Sequence, residues 1–474
     1  MDKPDMHYLN RRSVLKGSAA ALGSTLLSGE SMKAYPRVVN TSSMDLRAVE
    51  SRIHEALRTV KTIDPHVHLN AAKPTASTLA DVVFYHHVWI ELVSSGMGQR
   101  EVTQAGLPQE MADPQMDPLE RVKRALPYLP RIRNTTMGVL LGWLLTDLYA
   151  CKGYLDKSNV EELAAAVART GNDANWSEHL FSEICGIEQA ITVRPWKGKR
   201  FERIVGADER FGTINLADGK LSPRQKLEQM GAVLGQEIRT SVDYADFVGK
   251  LADDPNRSSS VFIGAWMPAY LTDELADDAN VTRIIVKARE GKPLTRVELG
   301  SVSYYGMVHG LERLRKTPIR TIQLIGGAEV LPPHRAITEW EGCFTAAVAR
   351  LACKFEDFRF NLSTASDMYT QDLGILAKHI PNISVAGSWW HTLYPFYIRK
   401  SLETRLDVVP ASKIIAFFSD AYHAEWCWPK LRMVKQIVGE ILIERVSKGW
   451  CDMDTALSII PTIFHDAPKT IYGL

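Results

Sequence analysis

Cysteine is scarce in this sequence and follows no metal-binding pattern. The 474 residues include six cysteines, with no Cys-x-x-Cys pair and no regular spacing: Cys151, Cys185, Cys343, Cys353, Cys427 and Cys451. Structural zinc sites built on thiolates need closely spaced pairs. A zinc–cysteine cluster is therefore disfavoured, and we interpret the thiols as small buried apolar side chains.

An excess of either charge is missing, and so are long apolar runs. Fifty-six basic residues against 55 acidic ones give a net charge of +1, so electrostatics gives no reason to expect nucleic acid or an anionic membrane as partner. The longest internal apolar run, Val139–Leu145, is far shorter than the roughly 18 residues that span a bilayer. We expect a mature protein without a membrane span that binds a small molecule, as a monomer or a homo-oligomer.

Two common functional motifs are absent too. The sequence contains no Gly-x-Ser-x-Gly elbow and no Gly-rich phosphate-binding loop. The first absence disfavours a serine hydrolase, and the second disfavours an open doubly wound sheet that binds a nucleotide. With 45% hydrophobic and 23% charged residues, the chain has ordinary globular composition and enough apolar material for a large core.

The N-terminal segment has the pattern of an export signal. Arg11 and Arg12 precede the apolar pair Val14-Leu15 and Lys16, and a short, weakly apolar stretch follows. This order resembles a twin-arginine signal, which exports proteins that have already folded. The alternative, an ordinary amphipathic helix, is disfavoured by the Gly- and Ser-rich composition. We assign residues 1–34 to the signal and expect the protein in the periplasm.

From residue 45 to residue 474, short β-branched runs alternate with helical periodicity. The predicted strands are Val60–His68, Ile187–Val193, Val261–Trp266, Arg320–Gly326, Asp357–Leu362, Ile383–Trp389 and Lys413–Asp420. Seven strands, with an eighth that the pattern does not locate, favour an α/β fold of the (β/α)₈ TIM-barrel type over an open sheet. Residues 79–168 are helical in pattern and predict an insertion after the first strand.

The first predicted strand carries a pair of candidate metal ligands. Strand side chains alternate between faces, so His66 and His68 point the same way. At the carboxyl end of a barrel strand that face is the lumen, where active sites lie. Two imidazoles fixed in this way suit one divalent metal ion, zinc above all. Asp64 shares their face, either as a ligand or as a hydrogen-bonding group.

The last predicted strand supplies a candidate carboxylate. An apolar run from Ile414 to Phe418 ends abruptly in Ser419-Asp420. A buried carboxylate without a partner is costly, so Asp420 is expected to bind the metal or to act as a base. A helix N-cap is the alternative for a Ser-Asp pair after a strand. Taken with the histidine pair, Asp420 becomes the candidate metal ligand and catalytic base.

Together these residues resemble the amidohydrolase superfamily, and more narrowly the uronate (glucuronate) isomerases. The likeness covers roughly residues 50–474 and includes these segments: Tyr85–Trp89, Leu129–Thr135, Trp143–Tyr149, Asn361–Ser363, Gly387–Trp390 and Ala467–Leu474. The resemblance implies a metal-dependent TIM-barrel enzyme that interconverts the aldose and ketose forms of a sugar acid. It also implies one divalent metal ion held by His66, His68 and Asp420.

The chain departs from the isomerase pattern at three positions. Leu324 stands where the family has a histidine on the fifth strand. Tyr422 replaces the arginine two positions after the last-strand Asp, and His87 replaces the tyrosine of the Asp-His-Tyr segment. His334, after the fifth strand, is a candidate replacement ligand.

The substrate contacts follow from these changes and from the predicted rim of the barrel. A uronate carboxylate needs a positive partner, which Arg194 or Arg210 could supply. His309 is interpreted as structural, whereas His391 is a plausible contact on a rim loop. We predict these substrate contacts: His87, Arg194, Trp390 and His423.

Three functions remain open from the sequence. The first is the isomerase, in which Asp420 moves a proton between neighbouring carbons. The second is a metal-dependent hydrolase or decarboxylase with the same ligands. The third is a non-catalytic homologue, for which the missing histidine and arginine argue.

We predict that replacing Arg11 and Arg12 by lysine keeps the protein in the cytoplasm with its signal uncleaved, because the export machinery reads the arginine pair. Cell fractionation followed by immunoblotting measures this, with Arg52→Lys as the control outside the signal. Normal processing and export of the double variant would contradict the assignment.

Overall fold

Parallel β-strands separated by helices organise the part of the chain that the computed structural model describes, which is residues 45–98, 116–217, 221–254, 260–331 and 335–474. The predicted export signal and the candidate ligand His334 lie outside the described residues. The strands are β1 (Thr62–Val67), β2 (Ile187–Thr192), β3 (Ile204–Asp208), β4 (Ser260–Trp266), β5 (Thr321–Gly326), β6 (Ala328–Leu331), β7 (Arg335–Thr338), β8 (Arg359–Thr364) and β9 (Ile383–Val385).

Seven of these strands form one curled sheet in the order β1-β2-β3-β4-β5-β8-β9. All its strand pairs are parallel, which confirms the predicted α/β class because parallel strands need crossover connections. β6 and β7 form a separate antiparallel pair directly after β5.

The strand that the sequence pattern does not locate is β3. It has only five residues and contains glycine at its centre, so its β propensity is weak. A Cβ atom at Gly206 would lie 3.0 Å from the ring of Trp196. The glycine therefore allows the tryptophan to pack against the strand.

The segment predicted as the last strand, Lys413–Asp420, lies between the two edges of the sheet without forming a continuous ladder. On one side the amide of Ile415 donates to the carbonyl of Val385 over 2.9 Å. On the other side the amide of Asp420 donates to the carbonyl of His66 over 3.0 Å. The segment thus connects β9 to β1 by isolated backbone bonds, whereas the prediction was a regular strand.

Helices surround the sheet, and those between β1 and β2 occupy the region of the predicted insertion. None of the described helices is long and apolar enough to cross a lipid bilayer. The helices are α1 (Leu46–Thr59), α2 (Leu79–Val83), α3 (His86–Ser94), α4 (Pro118–Ala125), α5 (Thr136–Tyr149), α6 (Val160–Gly171), α7 (Trp176–Glu178), α8 (Pro223–Leu234), α9 (Ser241–Ala252), α10 (Asp278–Arg289), α11 (Arg296–Leu314), α12 (Gly342–Lys354), α13 (Thr370–His379), α14 (Pro395–Val408), α15 (Cys427–Ser447), α16 (Met453–Pro461) and α17 (Ala467–Tyr472).

Two small apolar clusters lie apart from the main core between sheet and helices. One joins the sheet to α17 through residues that include Ile191, Phe262 and Ile471. The other lies at the carboxyl ends of the strands and includes Ile325, Trp389, Phe418, Ala328, Ala365 and Ala386. The side chains in both clusters are buried, so their packing excludes water from the polar groups beside them.

A buried polar network connects β5 and β8 to α17. Gln323 donates through Nε2 to the hydroxyl of Tyr472 over 2.7 Å, and that hydroxyl donates to Oδ1 of Asn361 over 2.7 Å. Asn361 in turn donates to Oγ of Ser384 over 2.9 Å. Since these side chains are buried, each bond satisfies a group that water cannot reach.

We predict that Tyr472→Phe lowers the free energy of unfolding by about 1–3 kcal/mol, because it leaves the Gln323 amide and the Asn361 carbonyl without their partner. Chemical denaturation measures the change. Tyr154→Phe is the matched control, since Tyr154 is exposed. Equal loss in both variants would contradict a stabilising role for this network.

Candidate metal centre

β1 places two histidines at the carboxyl end of the sheet. The side chain of His66 is buried, and His68 follows the last residue of the strand. Their rings stand edge to face, with centroids 5.2 Å apart. Pro65 cannot donate a ladder bond, and the pairing with β2 shifts register between Asp64 and Val67. This irregularity coincides with the backbone bond from Asp420 to His66.

Asp420 lies in a turn that directs its carboxylate toward both histidines. Its φ of 53° is in the left-handed region, which aspartate tolerates better than most residues. Oδ1 lies 3.2 Å from Nε2 of His68 and 3.6 Å from Nε2 of His66. The hydroxyl of Tyr85 donates to the backbone carbonyl of Asp420 over 3.1 Å, which fixes the turn from the other side.

The electrostatics of this cluster keep Asp420 ionised. Burial alone would raise the pKa of Asp420, but hydrogen bonding to His66 and His68 lowers it well below the ordinary value. Burial also lowers the pKa of His66, yet the carboxylates of Asp420 and Glu209 outweigh burial and raise it to about 9. An anionic carboxylate facing imidazole nitrogens is an electrostatic setting in which a divalent cation can replace a proton.

Gln323 fixes the orientation of the His66 ring. Its Oε1 lies 2.6 Å from Nδ1 of His66. Because the amide nitrogen of Gln323 already donates to Tyr472, the oxygen is the atom that accepts from His66. The bond leaves Nε2 of His66 directed at Asp420, which is the usual arrangement of a histidine that binds a metal.

Asp64 has a structural role beside this cluster. It is fully buried, and its Oδ1 accepts the backbone amide of Ser419 over 3.0 Å. Burial raises its pKa to about 6 despite these bonds. Of the two roles that the sequence left open, the observed contacts correspond to the hydrogen-bonding one.

The donor set of His66, His68 and Asp420 fits a divalent metal ion. One potential ligand atom from each lies within 4.8 Å of the others. Two imidazoles and a carboxylate are common ligands of zinc and related ions. A second pair of histidines near Asp420, His86 and His87, also contains buried ring nitrogens without a hydrogen-bond partner among the described residues.

That second pair is His86 and His87, in the first turn of α3. Both side chains are buried, and Nε2 of each lies 3.9 Å from Oδ2 of Asp420. His87 is among the predicted substrate contacts, and it lies against the carboxylate. His86 was not predicted as a site residue, although the His-His dipeptide was visible in the sequence.

The other predicted contacts are spread around the carboxyl ends of the strands. Arg194 is half-buried, follows β2 and forms no ion pair with the residues that the structure describes. Trp390 packs edge to face on Trp266, with centroids 5.8 Å apart, and stacks on His391. His423 is half-buried three residues beyond Asp420. No described bond joins Arg194, Trp390 or His423 to the histidine cluster.

Arg210 is unsuited to a substrate carboxylate because acidic neighbours already occupy it. Its guanidinium lies 2.7 Å from Asp208 and 2.6 Å from Asp254. Tyr422, which replaces the family's arginine, stacks face to face on His68 with centroids 4.6 Å apart. The substitution thus exchanges a charge for an aromatic contact with a candidate ligand.

The structure contradicts the match of Leu324 to the family's fifth-strand histidine. Leu324 belongs to the main core between sheet and helices, so its side chain does not face the cluster. Gln323 and Ile325, on either side of it, point the opposite way. Gln323 contacts His66, whereas Ile325 packs in the apolar cluster with Trp389.

Sequence reasoning missed two polar residues beside the cluster. Oε1 of Glu209 lies 3.8 Å from Nδ1 of His66; it directly follows β3, the strand that the pattern did not locate. Lys430, at the start of α15, donates to the Tyr85 hydroxyl over 2.5 Å and to the carbonyl of Ser419. Burial lowers the pKa of Lys430 to about 8. A lysine in an amphipathic helix gives no signal of such a role.

This chain has a curled parallel sheet with a histidine–carboxylate cluster at the carboxyl ends of its strands. Solved structures with the same fold include a uronate isomerase of Thermotoga maritima (16% identity, 90% of this chain and 97% of that one, TM-score 0.71). A glucuronate isomerase of Caulobacter crescentus is similar at 16% identity, 91% and 95% coverage and a TM-score of 0.72. A uronate isomerase of Bacillus halodurans is also similar, at 16% identity over 91% of this chain and 98% of that one, with a TM-score of 0.65.

These neighbours confirm, at the level of the fold, the resemblance to uronate isomerases predicted from the sequence. No family model and no curated protein sequence matches the chain. The match of folds at low identity leaves the chemistry to be argued from the residues themselves.

We predict that Gln323→Leu lowers the affinity of the His66 site for zinc by about 10- to 100-fold, because removing a group that orients a ligand usually costs that much. Competition with a chromophoric chelator measures the affinity. Gln371→Leu, on the exposed face of α13, is the control. Unchanged affinity in a folded Gln323 variant would contradict the orienting role.

Proposed function

We propose that this protein is a metal-dependent isomerase of the uronate isomerase type that interconverts the aldose and ketose forms of a sugar acid. The observation that carries the proposal is the cluster of His66, His68 and Asp420 at the carboxyl end of the sheet. The fold shared with three uronate isomerases over about nine-tenths of the chain supports it.

The proposal includes a closed eight-stranded barrel. The segment that contains Ile415 and Asp420 bonds to β9 on one side and to β1 on the other, and these bonds support closure. In a TIM barrel the carboxyl ends of the strands form the active-site face. Both His68 and Asp420 lie at that end of the sheet.

The metal of this proposal is one divalent ion, zinc by the chemistry of its ligands, held by His66, His68 and Asp420. When bound, such an ion polarises a carbonyl or hydroxyl oxygen of the substrate. Asp420 is the base that removes a proton from one carbon and returns it to the neighbouring carbon. Its pKa lies well below the ordinary value, so the carboxylate is ionised at neutral pH, which is the form that a base requires.

Aromatic side chains supply the walls of the proposed substrate site. Trp266, Trp389 and Trp390 pack on one another, with ring centroids 5.4 to 5.8 Å apart. They exclude water from a reacting substrate, which strengthens electrostatic interactions there. His87 would hydrogen-bond a hydroxyl near Asp420, and His423 would contact the substrate from the rim.

Arg194 is the proposed partner of the substrate carboxylate. A guanidinium binds a carboxylate through two parallel hydrogen bonds. Arg194 forms no ion pair with described residues, whereas Arg210 is engaged by two aspartates. This difference favours Arg194 of the two arginines that the sequence left open.

Two further parts of the proposal concern the protein in the cell. The Arg11-Arg12 motif supports export of the folded enzyme to the periplasm through the twin-arginine route. A homo-oligomeric state, with each chain carrying its own site, is compatible with a cluster built from one chain.

We predict that Asp420→Asn lowers turnover by about 10²- to 10⁴-fold, because the amide keeps the shape of the side chain but cannot accept the proton. The assay follows ketose formation from glucuronate and galacturonate and acid release from lactones and amides. Asp372→Asn, in the first turn of α13, is the matched control.

Each outcome of this assay distinguishes the functions. Ketose formation that depends on Asp420 supports the isomerase, and acid release that depends on it supports the hydrolase instead. Full activity in Asp420→Asn would refute the assigned role. A protein that binds no metal and turns over none of these compounds would be the non-catalytic homologue.

A further inference from the structure

Four histidines surround the carboxylate of Asp420, and they divide into two pairs. His66 and His68 approach Oδ1, at 3.6 and 3.2 Å. His86 and His87 approach Oδ2, each at 3.9 Å. Within each pair and the carboxylate, potential ligand atoms lie within 4.8 Å of one another. The proposed isomerase chemistry uses only the first pair as ligands.

The second pair has buried ring nitrogens that no described hydrogen bond explains. Nε2 of His87 and Nδ1 of His86 are buried without a partner among the described residues. A buried polar atom left in this way lowers stability, so natural proteins rarely leave one unsatisfied. Nε2 of His87 is therefore a partnerless nitrogen that faces Oδ2 of Asp420. In His86 it is Nε2 that faces the same oxygen, and the partnerless Nδ1 is the other nitrogen of that ring. Both rings thus present Nε2 to one carboxylate oxygen, as they would to a shared ion.

The surroundings leave Oδ2 available for such a ligand. The buried ammonium of Lys430 interacts electrostatically with Asp420, but its hydrogen bonds go to the Tyr85 hydroxyl and to the Ser419 carbonyl. Tyr85 in turn donates to the backbone carbonyl of Asp420, not to its carboxylate. Among the residues that the structure describes, the two imidazoles are the side chains placed against Oδ2.

We propose that Asp420 bridges two divalent metal ions, one held by His66 and His68 through Oδ1 and the other by His86 and His87 through Oδ2. The second site rests on the proposed function in using Asp420 as a ligand. Because a second ion would occupy Oδ2 of Asp420 and Nε2 of His87, Asp420 acts as the proposed base, and His87 as the proposed substrate contact, while the second site is empty. Imidazole and carboxylate select zinc and neighbouring divalent ions such as cobalt and nickel. Two-metal sites place their ions about 3.5–4 Å apart, a separation that one carboxylate can bridge.

The test is the metal content of the mature protein, measured by elemental analysis after stripping with a chelator and reloading with zinc. We expect about two ions per chain in the wild type and about one in His86→Ala/His87→Ala, because only the second site is lost. His66→Ala/His68→Ala should retain about one ion at the second site. Thermal melting checks that each variant is folded.

His391→Ala is the matched control. This histidine also has a buried ring nitrogen without a described partner, yet it is absent from both ligand groups. Its variant should keep about two ions per chain. The variant His87→Tyr, which replaces the imidazole by a phenol, should bind about one.

A second measurement identifies the bridge directly. In protein loaded with cobalt, two ions joined by one carboxylate couple magnetically, and the coupling should disappear in His86→Ala/His87→Ala while the signal of one isolated ion remains. Uncoupled ions in the wild type would refute a shared carboxylate.

Other outcomes overturn the proposal in ways that separate it from the proposed function. One ion in the wild type that His86→Ala/His87→Ala retains refutes the second site and agrees with the single metal site of His66, His68 and Asp420 in the proposed function. Loss of all metal in that variant means that the four histidines hold a single ion jointly. A wild type that binds no metal even after reloading refutes both proposals.

Discussion

An ionised carboxylate enclosed by protein is the constraint on which the rest of this structure depends. Asp420 is buried, and a charge removed from water must be paired or must bind a cation. The chain meets this requirement by bringing histidines from β1 and from α3 to opposite oxygens of one side chain. The left-handed turn at Asp420 and its backbone bond to His66 make that approach possible.

The support for the cluster extends to the opposite end of the sheet. His66 is oriented by Gln323, which is bonded to Tyr472 in α17, and that tyrosine is bonded to Asn361. Each group in the chain of bonds has one donor or acceptor directed to the next, so a rotation of one disturbs the others. α17 thereby affects the orientation of His66, a candidate ligand that it does not contact.

The parts of the site that follow from short stretches of sequence could be predicted. The alternation of faces in β1 places His66 and His68 together, and the end of an apolar run marks Asp420. Gln323 and Lys430 could not be found in this way, since their roles depend on contacts between elements distant in the chain. β3 was not predicted because a strand of five residues with a glycine at its centre gives only a weak sequence pattern.

The absence of a fifth-strand histidine has a different meaning in the structure than in the sequence. Leu324 faces the outer core, and the inner face of β5 presents Gln323 and Ile325 instead. An amide can orient a ligand but binds a transition-metal ion weakly, so β5 contributes an orienting group to this centre. In the proposed second site the nitrogen ligands come from α3, the described helix that brings His86 and His87 against Asp420. The helical region after β1 therefore places side chains in the candidate site as well as covering it.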